Sequence, residues 1–191
     1  MPITAPTLHA AAEQFREHLN RVLALTVTRT RLVLIPSPTL PRVQLAFRQG
    51  GRPVEAKLHT RFGVIGLHLA QTCEAESVHG RRRQQQRLRT VAYRYTLSPD
   101  GAADPLLRWE YDKQLAPQCR HHLQGTVELT IGRHAVRLND LHLPTGFTTI
   151  EEVLRFCIVD LAVAPLSREW DEVLTESYEK FKGDCAPRGR R

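Results

Sequence analysis

The period of the hydrophobic pattern changes twice along this chain, and these changes constrain the fold more than any other feature. Apolar residues recur at helical spacing over 8–23, alternate with polar residues through most of 29–138, and return to helical spacing after Pro144. Alternation is typical of strands with one buried face, whereas a period of 3.6 residues makes an apolar stripe along a helix. The pattern predicts an N-terminal helix, a series of strands and a C-terminal helical segment.

The residue types at the ends of the predicted helices support this interpretation. Thr7 can cap the first helix, and Thr149 with Glu152 has the spacing of a capping box before the second. Ser167 can cap a third helix, which is expected to end at Gly183.

Glycine pairs and alternation predict two short hairpins. The first turns at Gly50-Gly51 and gives the cross-strand pairs Phe47–Val54, Leu45–Ala56 and Val43–Leu58. The other turns at Gly132-Arg133 and gives the pairs Leu129–Val136, Val127–Leu138 and Glu128–Arg137. Residues 62–69 are a further strand candidate, and the polar segment 74–87 is expected to be an exposed loop.

These elements predict one α+β domain over residues 1–184. A curved antiparallel sheet of sequential hairpins is expected, covered on one face by one N-terminal and two C-terminal helices. A length of 191 residues with 41% hydrophobic side chains is enough for one such core. The basic tail 185–191 is expected to be disordered. No apolar run is long enough for a membrane span and no secretory signal is evident, so we expect a soluble, cytoplasmic protein without membrane contacts.

The charge is unevenly distributed along the chain. Residues 1–147 carry 20 basic and 11 acidic side chains, whereas residues 148–184 carry 4 basic and 9 acidic ones. Twenty-three of the 27 cationic side chains are arginines, whose planar fork suits phosphate, although a GC-rich genome alone could give that bias. The pattern indicates an acidic helical layer beside a basic sheet, where an anionic partner would bind.

The predicted hairpin that joins 88–97 to 105–112 carries the most informative side chains. A turn near Gly101 would place Tyr93 opposite Trp109 on an aromatic core face, and Arg94 opposite Arg108 on the other face. Like charges in such positions repel each other unless an anion lies between them. Either Glu110 and Asp112 neutralise the arginines as a structural ion network, or a bound phosphate does so.

Adjacent histidines follow this hairpin, at His121 and His122. Neighbouring side chains of an extended segment point to opposite faces, so the pair is a poor chelate, and no set of ligands has zinc spacing. We therefore expect no metal and no cofactor. A histidine can instead transfer protons near neutral pH, and the alternative is a surface histidine without a role.

An arginine-rich run lies between the two halves of the predicted sheet. From Ser77 to Ser98 there are six arginines and no acidic residue. Such a run can bind phosphates without reading sequence, or it can be a solvated connector. The candidate nucleic-acid-binding residues are Arg81, Arg82, Arg83, Arg87 and Arg89.

Motifs of several enzyme classes are missing from the sequence. There is no phosphate-binding glycine loop, no GxSxG, no HExxH and no paired-carboxylate cluster of the two-metal type. The four cysteines are widely spaced and include no CxxC pair, which disfavours a disulfide scaffold or a zinc ribbon. Cys157 falls on an apolar helix face and is expected to be buried.

Several short motifs over about residues 90–160 resemble the TumE-like toxin proteins of bacterial toxin–antitoxin pairs. They are Tyr93-Arg94-Tyr95, Asp100-Gly101, LLRWEYD at 106–112, His121-His122 and TIEEVL at 149–154. The resemblance implies action on RNA or translation, neutralised by a partner protein such as an antitoxin. It also implies that the functional cluster contains Arg108, Tyr111, Asp112, His121 and His122. This chain differs by its 90-residue N-terminal extension and by Glu110, inserted before Tyr111-Asp112.

The leading hypothesis is a nucleic-acid-interacting protein that acts as a metal-independent, toxin-like endoribonuclease. One histidine would take the 2′-hydroxyl proton and a second would protonate the leaving oxygen, while Arg94 and Arg108 stabilise the phosphorane. The first alternative is a non-catalytic module that binds a partner protein, or itself, through the acidic C-terminal helices. A third hypothesis is an enzyme with a small anionic substrate.

Overall fold

The structure, a computed structural model, describes residues 3–79, 84–101, 104–126, 128–131, 134–137 and 143–185. Within these residues ten strands form one antiparallel sheet, and three helices pack against one face of it. In chain order, the first elements are β1 (Thr4–Ala5), α1 (Leu8–Thr26), β2 (Leu32–Pro36), β3 (Arg42–Gln49), β4 (Arg52–Pro53), β5 (Ala56–Thr60), β6 (Gly63–His79) and β7 (Gln84–Pro99). The others are β8 (Leu107–Asp112), a 3-10 turn at Pro117–Cys119, β9 (His121–Gly125), β10 (Glu128–Ile131), β11 (His134–Arg137), β12 (Leu143–Pro144), α2 (Ile150–Val159) and α3 (Trp170–Cys185).

The two long strands β6 and β7 form the centre of the sheet. The strand order is β12-β9-β8-β7-β6-β3-β2, and every pairing is antiparallel. The short strands β1, β4 and β5 pair with β7, β3 and β6 respectively, while β10 and β11 form a separate two-stranded sheet. The predicted fold class, α+β with one N-terminal and two C-terminal helices on an antiparallel sheet, is confirmed.

The core lies between the sheet and the helices. Alternate strand residues face α1, so their side chains are buried while their neighbours point to the opposite face. The most completely buried large side chains include Leu19, Leu23, Leu45, Phe47, Leu67, Leu69, Tyr95, Leu97, Leu154 and Leu174. Among the described residues, no helix is both long enough and apolar enough to cross a membrane.

The helix caps confirm the predicted starts of α1 and α2. The Thr7 hydroxyl accepts the Ala10 N–H at 3.1 Å, and Thr149 with Glu152 forms both hydrogen bonds of a capping box. The predicted end of α3 at Gly183 is wrong, because the helix continues to Cys185. One glycine near a helix end costs only about 1 kcal/mol and need not stop the helix. Of the predicted tail, residues 186–191 lie outside the described residues.

The exposed loop expected over 74–87 is wrong for most of that segment. Residues 74–79 belong to β6 and residues 84–87 to β7, which continue the central hairpin beyond the apolar body. The ladder pairs Glu74 with Arg89 and Glu76 with Arg87, and the Arg87 guanidinium binds the Glu76 carboxylate. The Glu76–Arg87 ion pair stabilises this arm without the apolar alternation that would have revealed it. Arg81, Arg82 and Arg83 lie outside the described residues.

The hairpin at Gly50-Gly51 is confirmed only near its turn. The Val54 N–H donates to the Phe47 carbonyl, but β5 then pairs with β6 instead of β3. The predicted pairs Leu45–Ala56 and Val43–Leu58 are therefore wrong, and Leu45 pairs with Gln71. The physical reason is that β6 is long enough to pair with both β5 and β3 in succession along one edge.

The prediction for the hairpin over 128–137 is confirmed where the structure describes it. The pairs Glu128–Arg137 and Leu129–Val136 are present, while Val127 and Leu138 lie outside the described residues.

The register of the β7–β8 hairpin differs from the prediction by two residues. Tyr95 pairs with Trp109 and Arg94 pairs with Glu110, so the predicted opposition of Arg94 and Arg108 is wrong. The ladder ends at the pair of Leu97 with Leu107, and the connection is longer than the tight turn assumed near Gly101. A shift of two residues keeps every side chain on its predicted face and changes only its cross-strand partner.

Candidate functional site

The face of the main sheet opposite the helices carries a polar groove of about 420 Å³, called here the open-face groove. It crosses β3, β6, β7, β8 and β9, so residues far apart in sequence meet in it. Its lining consists of Gln44, Ala46, Arg48, Pro53, His68, Ala70, Thr72, Ala92, Tyr93, Arg94, Glu110, Tyr111, Asp112, Leu115 and His122.

Small side chains on neighbouring strands make the floor of this groove. Ala46 on β3 pairs with Ala70 on β6, and Thr72 on β6 pairs with Ala92 on β7. Longer charged side chains on the same face rise around this floor. A depression in the middle of a sheet face follows from this arrangement, because side chains on one face stand roughly perpendicular to the sheet.

A carboxylate on β8 binds three cationic or polar partners in the groove. One Glu110 oxygen accepts a hydrogen bond from the Arg94 guanidinium; the other lies 3.0 Å from His122 Nε2 and 3.3 Å from Arg108 Nε. Burial alone would raise the pKa of Glu110, but Arg94, Arg108 and the hydrogen bonds from Arg94 and His122 outweigh it and hold the pKa below its ordinary value. Glu110 is therefore ionised at neutral pH.

The ring of His122 is held between two oxygen acceptors. Its Nδ1 lies 3.1 Å from the Cys119 carbonyl oxygen, and its Nε2 lies 3.0 Å from the Glu110 carboxylate. A carbonyl oxygen only accepts hydrogen bonds, so Nδ1 carries a proton, and the carboxylate is satisfied when Nε2 carries one as well. In this geometry the ring can donate a hydrogen bond to each of the two oxygens.

A second groove histidine, His68 on β6, was not singled out from the sequence. Its side chain is half-buried and makes no hydrogen bond within the described part of the chain. Burial is the main cause that lowers the pKa of His68; Glu55 opposes this effect, and Arg94 and Arg48 add to it. A neutral imidazole results, which can accept a proton. The sequence feature that could have identified His68 is its position in FGVIGLHL, where this polar residue alternates with the leucines that enter the core.

His121 lies on the other face of β9, away from His122. Its ring stacks on Tyr111 with centroids 4.5 Å apart, and its centroid is 5.8 Å from that of Phe147 in an edge contact. Burial lowers the pKa of His121, with smaller effects from Arg120 and His122. The two histidines point to opposite faces as alternation predicts, so His121 lies outside the groove lining, although Tyr111, on which it stacks, still borders the groove.

The other predicted site residues have identifiable places. Arg108 donates to the Gln124 side chain beside its contact with Glu110, and Asp112 accepts the Gln114 N–H at 2.8 Å in the turn after β8. Asp112 lies at the margin of the groove. Of the predicted nucleic-acid-binding arginines, Arg87 is paired with Glu76 on the arm and Arg89 is exposed. Within the described ranges, no group of three or more His, Cys, Asp or Glu is placed to hold a metal ion.

The chain was compared with protein-family models, with curated proteins and with solved structures, and it matches none of them. The resemblance to the TumE-like toxins therefore stays a prediction from short motifs. The geometry of the open-face groove is the main basis for a functional proposal.

Proposed function

We propose that this protein binds RNA and cleaves it in the open-face groove as a metal-independent endoribonuclease. The observation that carries the proposal is that one groove holds a neutral histidine, His68, and a histidine that can store a proton, His122, with arginines between them. A base and an acid of opposite protonation state are what phosphodiester cleavage through the 2′-hydroxyl requires.

Two arginines, Arg48 and Arg94, and two carboxylates, Glu110 and Asp112, line the groove. Arg94 and Arg108 contact Glu110, and the Arg94 side chain is 61% exposed although it pairs with that carboxylate. An arginine held in place by one carboxylate keeps other N–H groups for an incoming phosphate. The exposed Arg94 guanidinium, oriented by Glu110, favours a phosphodiester as the ligand.

The order of the strands suits an in-line reaction. His68 on β6 and His122 on β9 are separated by β7 and β8, which carry Arg94 and Arg108. Three strand spacings amount to roughly 14 Å across the sheet, and His122 is also offset from His68 by two residues along the strands, because His68 is level with Gln124. Imidazoles that lean inward over the small floor residues would reach opposite sides of one phosphodiester.

The proposed reaction is a transesterification. His68 takes the proton of the 2′-hydroxyl, O2′ forms a bond to phosphorus, the bond from phosphorus to O5′ breaks, and His122 donates a proton to O5′. The products are a 2′,3′-cyclic phosphate and a 5′-hydroxyl, and proton exchange with water restores both rings. Arg94 and Arg108 stabilise the charge that develops on the phosphorane oxygens. In this proposal His68 replaces His121 in the predicted histidine pair.

The resemblance to TumE-like toxins supports a wider role for the same activity. The resemblance implies that the toxin of such a pair is neutralised by a partner protein. We therefore also propose that this protein is a cytoplasmic toxin and that its antitoxin blocks the groove.

A cleavage assay on defined single-stranded RNA tests the proposal. Wild type should cleave in the presence of EDTA, and His68→Gln or His122→Gln should lose at least 100-fold in rate, about what acid–base catalysis contributes. His59→Gln is the matched control, because His59 is an exposed histidine on β5 outside the groove lining. Failure of wild type to cleave any RNA, or full activity in His122→Gln, would overturn the nuclease proposal.

The surface of α3 and the segment before it favour a second candidate function, a partner-binding module. Glu169, Glu172 and Glu176 are exposed and make no ion pair within the described part of the chain, and exposed Val159 and Leu166 lie on or after α2. Lysine substitutions of the three glutamates should abolish binding of a basic partner while the groove stays intact. Binding unaffected by them would remove this candidate.

A further inference from the structure

The tip of the β5–β6 hairpin presents an aromatic ring to solvent. Phe62 is 69% exposed, more than any other large hydrophobic side chain of the described residues. It lies outside the core, so packing of the domain does not explain a phenylalanine at this position. Single exposed hydrophobic side chains are common on protein surfaces, so the role of Phe62 depends on what surrounds it.

The tip is also rigidly built. The Thr60 hydroxyl accepts the Phe62 N–H at 3.0 Å and donates to the Gly63 carbonyl at 2.8 Å. Gly63 has a φ of 123°, which side-chain-bearing residues rarely adopt, and it lets the chain turn directly into β6. The backbone that carries the ring is therefore held by local hydrogen bonds, so binding to the ring costs little ordering of the chain.

One face of the ring is covered by a cation. The Arg61 guanidinium carbon lies 4.6 Å from the centroid of Phe62, and Arg61 makes no ion pair within the described residues. A planar ligand can stack on the remaining face, while the guanidinium is available for a phosphate beside it. Aromatic rings combined with arginines are the usual platform for unpaired nucleobases.

We propose that Arg61 and Phe62 form a stacking site for an unpaired nucleobase of the RNA whose phosphodiester lies in the open-face groove, so that the substrate is single-stranded. This inference rests on the proposed function and adds its substrate class. A base inside a duplex has no exposed face to offer, whereas every unpaired base has one.

The distance from the tip to the groove suits a short strand. His68 lies five positions after Gly63 on β6, which is about 17 Å of extended chain or roughly two to three nucleotides. Arg48 lines the groove and makes no ion pair within the described part of the chain, and Lys57 lies 3.9 Å from the Glu55 carboxylate, which lies against Gly66 between the tip and His68. A strand with one phosphodiester over Ala70 could follow these cations to the tip.

Binding of short RNAs to the full-length protein tests the site. The probes are 2′-O-methyl oligonucleotides of one to six residues, which the proposed reaction cannot cleave, with 2-aminopurine at each position in turn. The affinity of the wild-type protein should rise sharply once the oligonucleotide is long enough to reach from the groove to the tip. The fluorescence of 2-aminopurine at one terminal position should then be quenched. Phe62→Ala should weaken binding of the longer probes by about 5- to 100-fold, the usual contribution of one stacked base, and leave the shortest unchanged. Phe62→Trp should bind the longer probes with the affinity of the wild-type protein.

The matched control is Leu40→Ala, which removes another side chain that is 49% exposed. If Phe62→Ala binds all probes like wild type while Arg94→Gln binds them weakly, the stacking site is wrong and the groove proposal stands. If neither variant changes binding, the groove proposal is wrong as well. Equal affinity for a blunt duplex of the same sequence, lost equally in Phe62→Ala, would overturn the assignment of single-stranded RNA as the substrate.

Discussion

Glu110 lies directly across the β7–β8 ladder from Arg94 and binds its guanidinium. The same carboxylate contacts Arg108 and His122, so it fixes three of the groove side chains at once. A salt bridge of this kind organises the groove even where its net contribution to stability is small.

Replacement of Glu110 by glutamine should destabilise the fold by about 1–3 kcal/mol at pH 7, because two arginines and a histidine then share a half-buried region without their carboxylate. The folded pKa of Glu110 is depressed, so its contribution is present above its ordinary value of 4.5 and is lost as the pH falls through the folded pKa. The measurement is urea unfolding of wild type and Glu110→Gln from pH 7 to pH 3.5. Glu17→Gln, on an exposed side chain, is the control.

Arg108→Gln should also destabilise the protein, by about 1 kcal/mol, since Glu110 and Gln124 each lose a donor. Of the two alternatives predicted from the sequence, a structural ion network gives the same sign, whereas a pair of opposed arginines that awaits a phosphate gives unchanged or slightly higher stability, because the substitution would relieve repulsion. Thermal unfolding of wild type and Arg108→Gln at low salt distinguishes a loss of stability from a gain. A gain would mean that Arg108 is held near unneutralised positive charge.

Ala70→Leu should abolish RNA binding in the groove and leave the free energy of unfolding nearly unchanged. Ala70 lies on the floor between Ala46 and Arg94 and faces away from the helices, so a longer side chain fills the groove without entering the core. Titration with a labelled RNA measures the effect. Unfolding of the same variant in urea is the control, and binding at wild-type affinity would exclude this floor as the ligand site.

The helices and the class of fold were predictable because local signals determine them. Thr149 and Glu152 sit three residues apart before an apolar stripe, and that spacing defines a helix start whatever packs around it. Strand pairing is different, since a ladder depends on residues distant in sequence. The sequence pattern assigned Arg94, Glu110 and Arg108 to one face, but it could not decide which of them lie opposite each other.

The candidate site was predictable only in part for the same reason. Arg94, Arg108 and His122 were selected because unusual charges and a histidine pair stand out in their segments. His68 did not stand out, because it is a single polar residue within an apolar strand, and only the pairing of β6 with β7 brings it near Arg94. The arm after Cys73 was mistaken for a loop because its strands are stabilised by charge pairs.

Cys157 should remain unlabelled by a thiol reagent for as long as the protein is folded. Its side chain is fully buried and burial raises its pKa to about 12, so almost no reactive thiolate is present at pH 8. Cys119 is exposed and should be labelled quickly. Peptide mass analysis after brief alkylation checks both cysteines, with a sample in urea as the reference for full reaction. Rapid labelling of Cys157 in native buffer would mean that α2 opens readily.

A buried hydrogen-bonded chain between the three helices gives the last prediction. His18 Nε2 of α1 lies 2.9 Å from the Ser177 hydroxyl of α3, and that hydroxyl donates to Glu151 of α2. Burial, with help from Lys180 and Arg21, lowers the pKa of His18 from 6.5 to about 4, whereas burial raises the pKa of Glu151.

The two groups act on stability in opposite directions. Between pH 6.5 and pH 4 the unfolded chain binds a proton at His18 that the folded protein does not, so this group destabilises the fold as the pH falls. Glu151 binds its proton more readily when folded, so its contribution is lost as the pH rises through its raised pKa. A pH profile of the wild type alone therefore mixes the two effects.

Comparison with His18→Gln separates them, because glutamine can still contact Ser177 but does not titrate. The free energy of unfolding of wild type minus that of His18→Gln should be constant above pH 7 and should fall steadily from pH 6.5 to pH 4. Urea unfolding at half-unit pH steps measures it, with His9→Gln, an exposed histidine on the same helix, as the control. A difference that does not change over this range would show that His18 titrates alike in the folded and unfolded protein, and that the chain linking α1, α3 and α2 does not exclude the proton.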